Sequence, residues 1–497
     1  MYAPLLPVLR SALHFLQFYP YKNLNNLLAC VIIKTANLIF EKNLIMKKHK
    51  LKLSTTQVIM LSFLSVILIG SILLALPISA KSGKAVPYLD ALFTATTSTC
   101  VTGLVTLPTV TTWSIFGQIV ILLLIQIGGL GIITIMTGLT VVLHRKIGLK
   151  DSRLLSDSFN LTTLSGLVSF VKKVILGTLI VEGIGALLYM TVFIPDFGAK
   201  GIWVSVFNSV SAFCNAGIDI IAENSLCDYA LNPFINTVTS LLIVLGGIGY
   251  IVWWDVLRVL KNFRKENLKC LKRLTLHSKI ALSATLVLIF GGAVIIFILE
   301  YNNPLTIANY SFFDKIQVSF FQSITTRTAG FATIPQENLT NASAIFCLLL
   351  MFIGGSPVGT AGGIKTVTIV VLFATAYSAI KNKNEVSIFN RTLPRQITKK
   401  AVAVTAMSFS IVFISTILLA AVTDAAAIDI IYETVSATAT VGLSRNLTPY
   451  LDLFGKLIII VTMYLGRIGP ISLAVALNSN KESGNIIKNP TEEISVG

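Results

Sequence analysis

The sequence predicts an all-α integral membrane protein made of four pseudo-repeats, each a helix, a short re-entrant helix with its loop, and a second helix. Three observations support this fold class: an apolar composition, long apolar stretches, and an internal period of about 113 residues. Of the 497 residues, 54% are hydrophobic and 12% are charged. Soluble domains carry about a quarter charged residues, so this composition indicates a polytopic membrane bundle.

The net charge of +17 does not indicate a nucleic-acid binder. The basic residues lie in short clusters between apolar stretches, as expected of cytoplasmic loops. The six cysteines form no CxxC pair, and there is no HExxH motif. The chain therefore lacks the signatures of a zinc site, a disulfide framework or an enzyme active site.

Eight apolar stretches have the length needed to cross a bilayer as a helix. They lie near residues 55–78, 113–143, 168–194, 233–260, 277–300, 341–379, 401–423 and 452–478. Basic clusters precede the first stretch and follow every second one, which places both termini in the cytoplasm. We therefore expect a multi-pass protein of the cytoplasmic membrane.

Residues 1–53 fit this plan poorly, because they mix apolar residues with scattered Lys and Asn. We interpret them as an N-terminal cytoplasmic segment in which residues 1–45 reflect an over-long start, since Met46 precedes a basic cluster. The alternative is an interfacial amphipathic segment.

The internal repeat is centred on four glycines spaced at 114, 113 and 112 residues: Gly103, Gly217, Gly330 and Gly442. An aromatic residue lies ten positions before each glycine, and a second glycine-rich cluster lies in the following stretch. Three features with one period predict the repeats 54–150, 151–265, 266–400 and 401–478, followed by a cytoplasmic tail, 479–497.

Each glycine ends a segment of about a dozen residues, which as a helix rises only about 18 Å and cannot cross the membrane. Such a segment must be re-entrant, and its irregular backbone must line a cavity or be buried in protein. We therefore expect the four repeats to surround a central pore.

The residues leading to each glycine are candidates for an ion-binding selectivity filter, because backbone carbonyls can replace the hydration shell of a cation. Glycine adopts the left-handed conformation that turns successive carbonyls toward one axis. A single such glycine would be better explained as a helix cap or a tight turn. The candidate filter residues are Val101, Thr102, Gly103, Asn215, Ala216, Gly217, Thr328, Ala329, Gly330, Thr440, Val441 and Gly442.

The chain resembles the Trk/Ktr/HKT superfamily of cation transporters in these loops and glycine-rich stretches. Within the superfamily it is most similar to the KtrB-type potassium-uptake subunits. The resemblance covers about residues 50–497 and includes the Thr-Val-Gly of the fourth loop. It implies potassium uptake, often stimulated by sodium. It also implies a homodimer on a cytosolic RCK-type (KtrA-like) ring, with the nucleotide bound to the ring and no metal other than potassium in the filter. In plant relatives a serine at the first filter glycine accompanies sodium selectivity, so Gly103 favours potassium.

The sixth stretch is too long for one span, because 39 helical residues would extend about 58 Å. Its glycines and proline predict a broken helix with a flexible loop below the filter. It is not a Walker A motif, because Ile364 separates the glycines from Lys365. The family resemblance implies that this loop is a gate; the candidate gate residues are Gly354, Gly355, Ser356, Gly359, Thr360, Gly362, Gly363, Lys365 and Arg467.

Arg467 lies inside an apolar stretch, where a buried charge is costly. It is either paired structurally with helix-end carbonyls or is an electrostatic barrier at the pore, and the resemblance favours the barrier. We expect Arg327 to clamp the filter by pairing with a carboxylate of Asp90, Asp314, Asp429 or Glu433.

Asp219 and Glu223 follow the second loop, where they would concentrate cations or be solvated loop acids. Three other functions compete with potassium uptake. These are a sodium or poorly selective transporter, a coupled carrier with inverted repeats, and a membrane enzyme. The repeats run parallel, which disfavours the carrier.

Overall fold

The computed structural model describes residues 55–131, 134, 167–262, 267–383 and 385–469. The predictions for the N-terminal segment 1–53 and the tail 479–497 lie outside these residues. Where the chain is described it is almost entirely helical, and the four-repeat organisation predicted from the glycine period is visible in the order of its helices.

Each repeat contains a first helix, a short pore helix and a second helix. Repeats 1 and 2 comprise α1 (Thr55–Leu74), α2 (Tyr88–Cys100), α3 (Thr109–Thr112), α4 (Ile115–Leu130), α5 (Leu167–Phe197), α6 (Lys200–Cys214), α7 (Pro233–Gly247) and α8 (Tyr250–Leu260). Repeats 3 and 4 comprise α9 (Leu276–Glu300), α10 (Phe312–Thr325), α11 (Asn341–Phe352), α12 (Thr366–Ile380), α13 (Arg395–Ala420), α14 (Ala427–Ala439) and α15 (Leu453–Ile468). The pore helices are α2, α6, α10 and α14.

The first helix of every repeat is continuous and long enough to cross a membrane. Among the described residues four helices meet this criterion: Gln57–Leu74, Ser169–Phe197, Leu276–Glu300 and Arg395–Ala420. Their apolar sequences form unbroken helices of 18 to 29 residues, even where glycines are adjacent, as at Gly291 and Gly292. They coincide with the first, third, fifth and seventh predicted stretches.

The second helices are not continuous, and the sequence predicted such a break only in the sixth stretch. In repeat 2, α7 and α8 meet at an angle of 100° around Gly249, whose φ is 91°. Helices α4 and α15 end one residue before Gly131 and Gly469, whose φ values are 82° and 85°. Positive φ cannot continue a right-handed helix, so each of these glycines ends its helix. In repeat 3, residues 353–365 separate α11 from α12, as predicted.

A two-stranded hairpin between α12 and α13 is the only sheet among the described residues, and it was not predicted. Strand β1 (Ser387–Ile388) pairs antiparallel with β2 (Arg391–Thr392). The two residues between the strands have positive φ, which is typical of a tight type I′ hairpin turn.

Polar contacts join neighbouring repeats near the starts of the pore helices. Lys456, on α15, forms an ion pair of 2.6 Å with Asp90 on α2. Arg445 pairs with Asp429 at 2.6 Å and also donates to backbone carbonyls of Gln336 and Glu337 in repeat 3. These contacts join repeat 4 to repeats 1 and 3.

Candidate functional site

The structure brings the four repeat glycines together. A Cβ built on Gly103 would lie 2.6 Å from the carbonyl oxygen of Ala216 and 3.3 Å from the Cα of Gly217. Each glycine abuts the next repeat in the same way, and the fourth closes the ring onto the first. These contacts pair Gly103 with Ala216, Gly217 with Ala329, Gly330 with Val441, and Gly442 with Thr102. Any side chain at these four positions would collide with a neighbouring carbonyl.

The backbone of the glycine loops (residues 101–103, 215–217, 328–330 and 440–442) is left-handed at two positions. The residue two before each glycine has positive φ: Val101 56°, Asn215 59°, Thr328 68° and Thr440 52°. The glycines follow with φ values of 99°, 64°, 82° and 98°. The cap of the pore helix is therefore the earlier residue in repeats 1, 2 and 4, and the glycine has a separate role in the loop.

A hydroxyl on each pore helix fixes its glycine loop, a feature that the sequence reasoning missed. The hydroxyls of Thr97 and Ser436 accept hydrogen bonds of 3.0 Å from the amides of Gly103 and Gly442. In repeat 2 the hydroxyl of Ser211 accepts a bond from the Ile218 amide at 3.2 Å. The three hydroxyl residues lie at the same distance, six residues before the glycine of their repeat: Thr97, Ser211 and Ser436. Alignment of the repeats could therefore have identified them.

Repeat 3 uses a different residue for the same purpose. Ile324 occupies the position six residues before Gly330, and the hydroxyl of the adjacent Thr325 donates to the carbonyl of Phe331 at 2.6 Å. This loop therefore departs from the other three in its anchoring, although its glycine takes the same place in the ring.

The glycine clusters of the second helices let those helices pass close beneath the pore helices. A Cβ built on Gly128 would collide with the backbone of Thr99, one on Gly246 with Phe213, and one on Gly466 with Thr438. Each contacted residue lies four positions before the ring glycine of its own repeat. The clusters thus bring the second helices against the carbonyl ends of the pore helices.

The loop 353–365 (the intramembrane loop) lies directly below the glycine loops. Its two ends are joined by a parallel bridge between Ile353 and Ile364. The Thr360 hydroxyl donates to the carbonyl of Phe213 at 3.1 Å, and a Cβ on Gly362 would lie 2.8 Å from the carbonyl of Ala439. The loop therefore contacts the inner ends of the pore helices of repeats 2 and 4.

The middle of this loop packs into the break between α7 and α8 of repeat 2. The amides of Ser356 and Thr360 donate to the carbonyls of Gly247 and Gly246, at 2.8 and 3.1 Å. The amide of Tyr250 donates in return to Val358 at 2.9 Å. The candidate glycines support this packing, because Cβ atoms on Gly355 and Gly359 would each lie 2.8 Å from a repeat 2 carbonyl, and Gly354 contacts Gly363.

Two cations hold the intramembrane loop. Arg467 donates to the carbonyl of Thr360 at 2.7 Å and to that of Gly128 at 2.5 Å, and so connects repeats 4, 3 and 1. The Lys365 ammonium donates to the carbonyl of Ala361 at 2.5 Å. Both partners of Arg467 are carbonyl groups, so its charge is met by backbone dipoles.

The predicted ion pair of Arg327 was wrong. Asp90 pairs with Lys456 and Asp429 with Arg445, while Asp314 and Glu433 accept hydroxyl donors. Arg327 is buried, and its guanidinium lies 3.4 Å from the hydroxyl of Thr285 and 3.5 Å from the carbonyl of Gly354. It thus lies between the third glycine loop and the start of the intramembrane loop, without an acid.

The two acids after the second glycine loop differ in exposure. Asp219 is buried at 8% exposure and accepts a bond from the amide of Ile221, whereas Glu223 is exposed. Burial raises the pKa of Asp219 to about 6. The interpretation as a solvated loop acid therefore fits Glu223, and it does not fit Asp219.

Known proteins are similar to this chain in sequence. The sequence profile described as "TrkH: Cation transport protein" matches residues 22–489. The potassium/sodium uptake protein NtpJ of Enterococcus hirae is 38% identical over 91% of this chain and 100% of its own. The Ktr system potassium uptake protein B of Bacillus subtilis is 39% identical over 89% of this chain and 96% of its own, and that of Vibrio alginolyticus is 33% identical over 91% and 97%.

A solved structure supports the fold independently of close sequence similarity. The crystal structure of the potassium transporter TrkH from Vibrio parahaemolyticus superposes with a TM-score of 0.66, at 16% identity, over 87% of this chain and 86% of that one. The all-α membrane fold and the KtrB-type resemblance are confirmed. The chain therefore belongs to the TrkH family of cation transport proteins.

Proposed function

We propose that this chain carries potassium into the cell through one pore formed by its four repeats. The ring of four glycines is the observation that carries the proposal. The names of the relatives, which specify potassium or potassium/sodium uptake, agree with it.

The glycine loops act as the filter. A cation that leaves water loses its hydration shell, and a ring of carbonyl oxygens replaces it. The carbonyl oxygens of the residues before the glycines each lie beside the glycine of an adjacent repeat, within 2.6 Å of a Cβ built on it: Thr102, Ala216, Ala329 and Val441. The carbonyl ends of the four pore helices add partial negative charge beneath the same ring.

The intramembrane loop acts as the gate. It lies across the inner ends of two pore helices, where it would obstruct an ion leaving the filter. Its candidate residues are those predicted from sequence, from Gly354 to Lys365, together with Arg467. Release of the bond from Arg467 to Thr360 would remove the side-chain bridge that joins the loop to α15 and, through the same guanidinium, to Gly128 of repeat 1.

The protein works as a homodimer in the bacterial-type cytoplasmic membrane, with both termini cytoplasmic. It binds a cytosolic ring of RCK-type subunits that holds the nucleotide and controls the gate. The names of the Ktr system relatives support an assembly of this kind. Sodium stimulates transport in this scheme.

A sodium or poorly selective monovalent cation transporter is the second candidate, because the NtpJ relative is named for both ions. Each loop carries one glycine, so the row of carbonyl sites is shorter than in a TVGYG filter and discrimination should be weaker.

Uptake of labelled potassium and sodium by the purified protein in vesicles separates the two candidates. Potassium uptake that survives a tenfold excess of sodium, about 1.4 kcal/mol of preference, supports the first. Equal uptake of both ions supports the second. Measurements with and without the cytosolic RCK-type ring and its nucleotide test whether that ring regulates transport. Identical rates under both conditions would contradict this regulation.

A further inference from the structure

The hairpin between α12 and α13 is a rigid element where a simple connection would suffice. Helix α12 ends at Ile380 and α13 begins at Arg395, so the hairpin lies between two membrane helices. Its turn residues Phe389 and Asn390 have φ values of 51° and 58°, which fixes the turn geometry. A short, defined hairpin of this kind cannot extend far from the bilayer surface.

Hydrogen bonds attach the hairpin to the end of α12. The hydroxyl of Ser378 donates to the carbonyls of Lys383 and Glu385, at 3.3 and 2.9 Å. The amide of Leu393 donates to the carbonyl of Val386 at 2.8 Å and extends the ladder beyond the two strands. The hairpin and its charges are therefore held at a fixed height relative to the helix end.

The segment 381–400 carries six basic residues and a single acid. All six bases are exposed, and none forms an ion pair among the described residues: Lys381, Lys383, Arg391, Arg395, Lys399 and Lys400. The carboxylate of the one acid, Glu385, accepts the hydroxyl of Thr392. A charge surplus of this size at the end of a membrane helix attracts anionic headgroups.

Aromatic side chains accompany these charges. Phe389, at the tip of the hairpin, is 55% exposed, and Tyr377, one turn before the end of α12, is 58% exposed. The ammonium of Lys383 lies 5.9 Å from the centre of the Tyr377 ring. Aromatic residues beside exposed bases are typical of the membrane interface, where the rings enter the headgroup layer.

We propose that the hairpin and its flanking bases form a binding site for anionic phospholipid headgroups of the inner leaflet. This inference rests on the orientation given under the proposed function, with the hairpin on the cytoplasmic side. The bases engage the lipid phosphates, while Phe389 inserts at the level of the acyl boundary. Topology alone requires bases on this side, but it requires neither the fixed hairpin nor its aromatic tip.

The test compares lipid retention by two variants of the full chain with equal charge loss. The first replaces hairpin bases: Lys381→Gln, Lys383→Gln, Arg391→Gln and Arg395→Gln. The control replaces exposed bases elsewhere: Lys172→Gln, Lys173→Gln, Lys269→Gln and Lys272→Gln. Each protein is incubated with equal amounts of phosphatidylglycerol and phosphatidylcholine, without the ring, and the retained lipids are quantified by native mass spectrometry.

The wild-type chain and the control should retain phosphatidylglycerol preferentially, and the hairpin variant should lose this preference by about fivefold or more. Equal losses in both variants, or no preference in the wild type, would overturn the proposal. Displacement of phosphatidylglycerol by inorganic phosphate would do the same, because it would show a site for free anions.

A single substitution provides a second measurement that does not depend on removing charges. Phe389→Trp should show stronger quenching by brominated phosphatidylglycerol than by brominated phosphatidylcholine, after the signal of the wild-type tryptophans is subtracted. Equal quenching by the two lipids would contradict the site. Neither measurement involves transport, so the lipid site and the proposed pore can fail separately.

Discussion

The glycine loops and the intramembrane loop are both irregular backbone inside a helical bundle, yet they are held in different ways. Each glycine loop is fixed by its own pore helix, through hydroxyls such as those of Thr97 and Ser436. The intramembrane loop also has bonds within its own repeat, such as that of Lys365 to Ala361. It is additionally held by other repeats, through the carbonyls of Gly246 and Gly247 and the side chain of Arg467.

In the proposed function, this difference separates a rigid filter from a gate that moves. Bonds within one segment keep their geometry when repeats shift against each other. Bonds between repeats are lost when the repeats separate, and the two bonds of Arg467 are lost together when its side chain leaves. Irregular backbone at membrane depth must remain satisfied by protein or water, so a moving loop needs water to replace the lost partners. The following substitutions test this comparison, from the largest expected effect to the smallest.

Gly330→Ala should abolish selective uptake. Gly330 has a φ of 82°, and its new Cβ would lie 2.5 Å from the carbonyl of Val441. Strain at such a position costs about 1–3 kcal/mol, so we expect the preference for potassium over sodium to fall by up to about 100-fold in vesicle uptake. Gly291→Ala is the control, because its Cβ meets open space. Selective uptake by Gly330→Ala would show that the ring is not rigid.

Arg467→Ala should raise uptake or leak by about tenfold, because it removes two hydrogen bonds of a charged donor that hold the intramembrane loop. Potassium efflux from loaded vesicles measures the effect, and Lys269→Ala, an exposed base, is the matched control. Unchanged transport in a well-expressed variant would remove Arg467 from the gate.

Ser436→Ala should weaken selectivity without changing the gate. It removes the bond to the amide of Gly442, which is worth about 1 kcal/mol, or about fivefold. Competition between sodium and labelled potassium measures the change. Ser410→Ala, which loses only a bond within its own helix, should resemble the wild type. A leak with intact selectivity would place this hydroxyl in the gate instead.

Acidification outside should reduce uptake about twofold, because a carboxylate near the pore mouth concentrates cations. Burial raises the pKa of Asp219 to about 6, so the carboxylate is charged above this pH and becomes neutral below it. The rate should therefore fall as the pH decreases through about 6. Asp219→Asn should stay at the lower rate at every pH, whereas Glu223→Gln should keep the transition. If the pH transition persists in Asp219→Asn, it arises from the titration of another group.

The repeat architecture could be predicted because its determinant is a steric requirement at single positions. Gly103, Gly217, Gly330 and Gly442 tolerate no side chain in the ring, so the requirement appears in the sequence with the repeat period. The intramembrane loop was also predictable, because several glycines and a proline within 13 residues cannot form a regular helix.

The breaks at Gly131, Gly249 and Gly469 were not predicted, because each lies in a sequence that is otherwise apolar enough for a span. Each of these glycines ends a short glycine cluster, and the preceding glycines of the cluster remain helical, so only the positive φ of the last glycine in the folded chain shows the break. The partners of Arg327 were missed for another reason. Spacing along the chain gives no information on which acids are already paired with Lys456 and Arg445.

The closure of the ring by contacts between adjacent repeats has an evolutionary consequence. In a channel assembled from four identical subunits, one mutation alters all four positions at once. Here a single nucleotide change alters one quarter of the ring and leaves three quarters as they were. The residues that open the four loops, Val101, Asn215, Thr328 and Thr440, have already diverged around a common backbone. If the ring is the filter proposed above, a lineage with this architecture adjusts its ion preference in small, separately selectable steps.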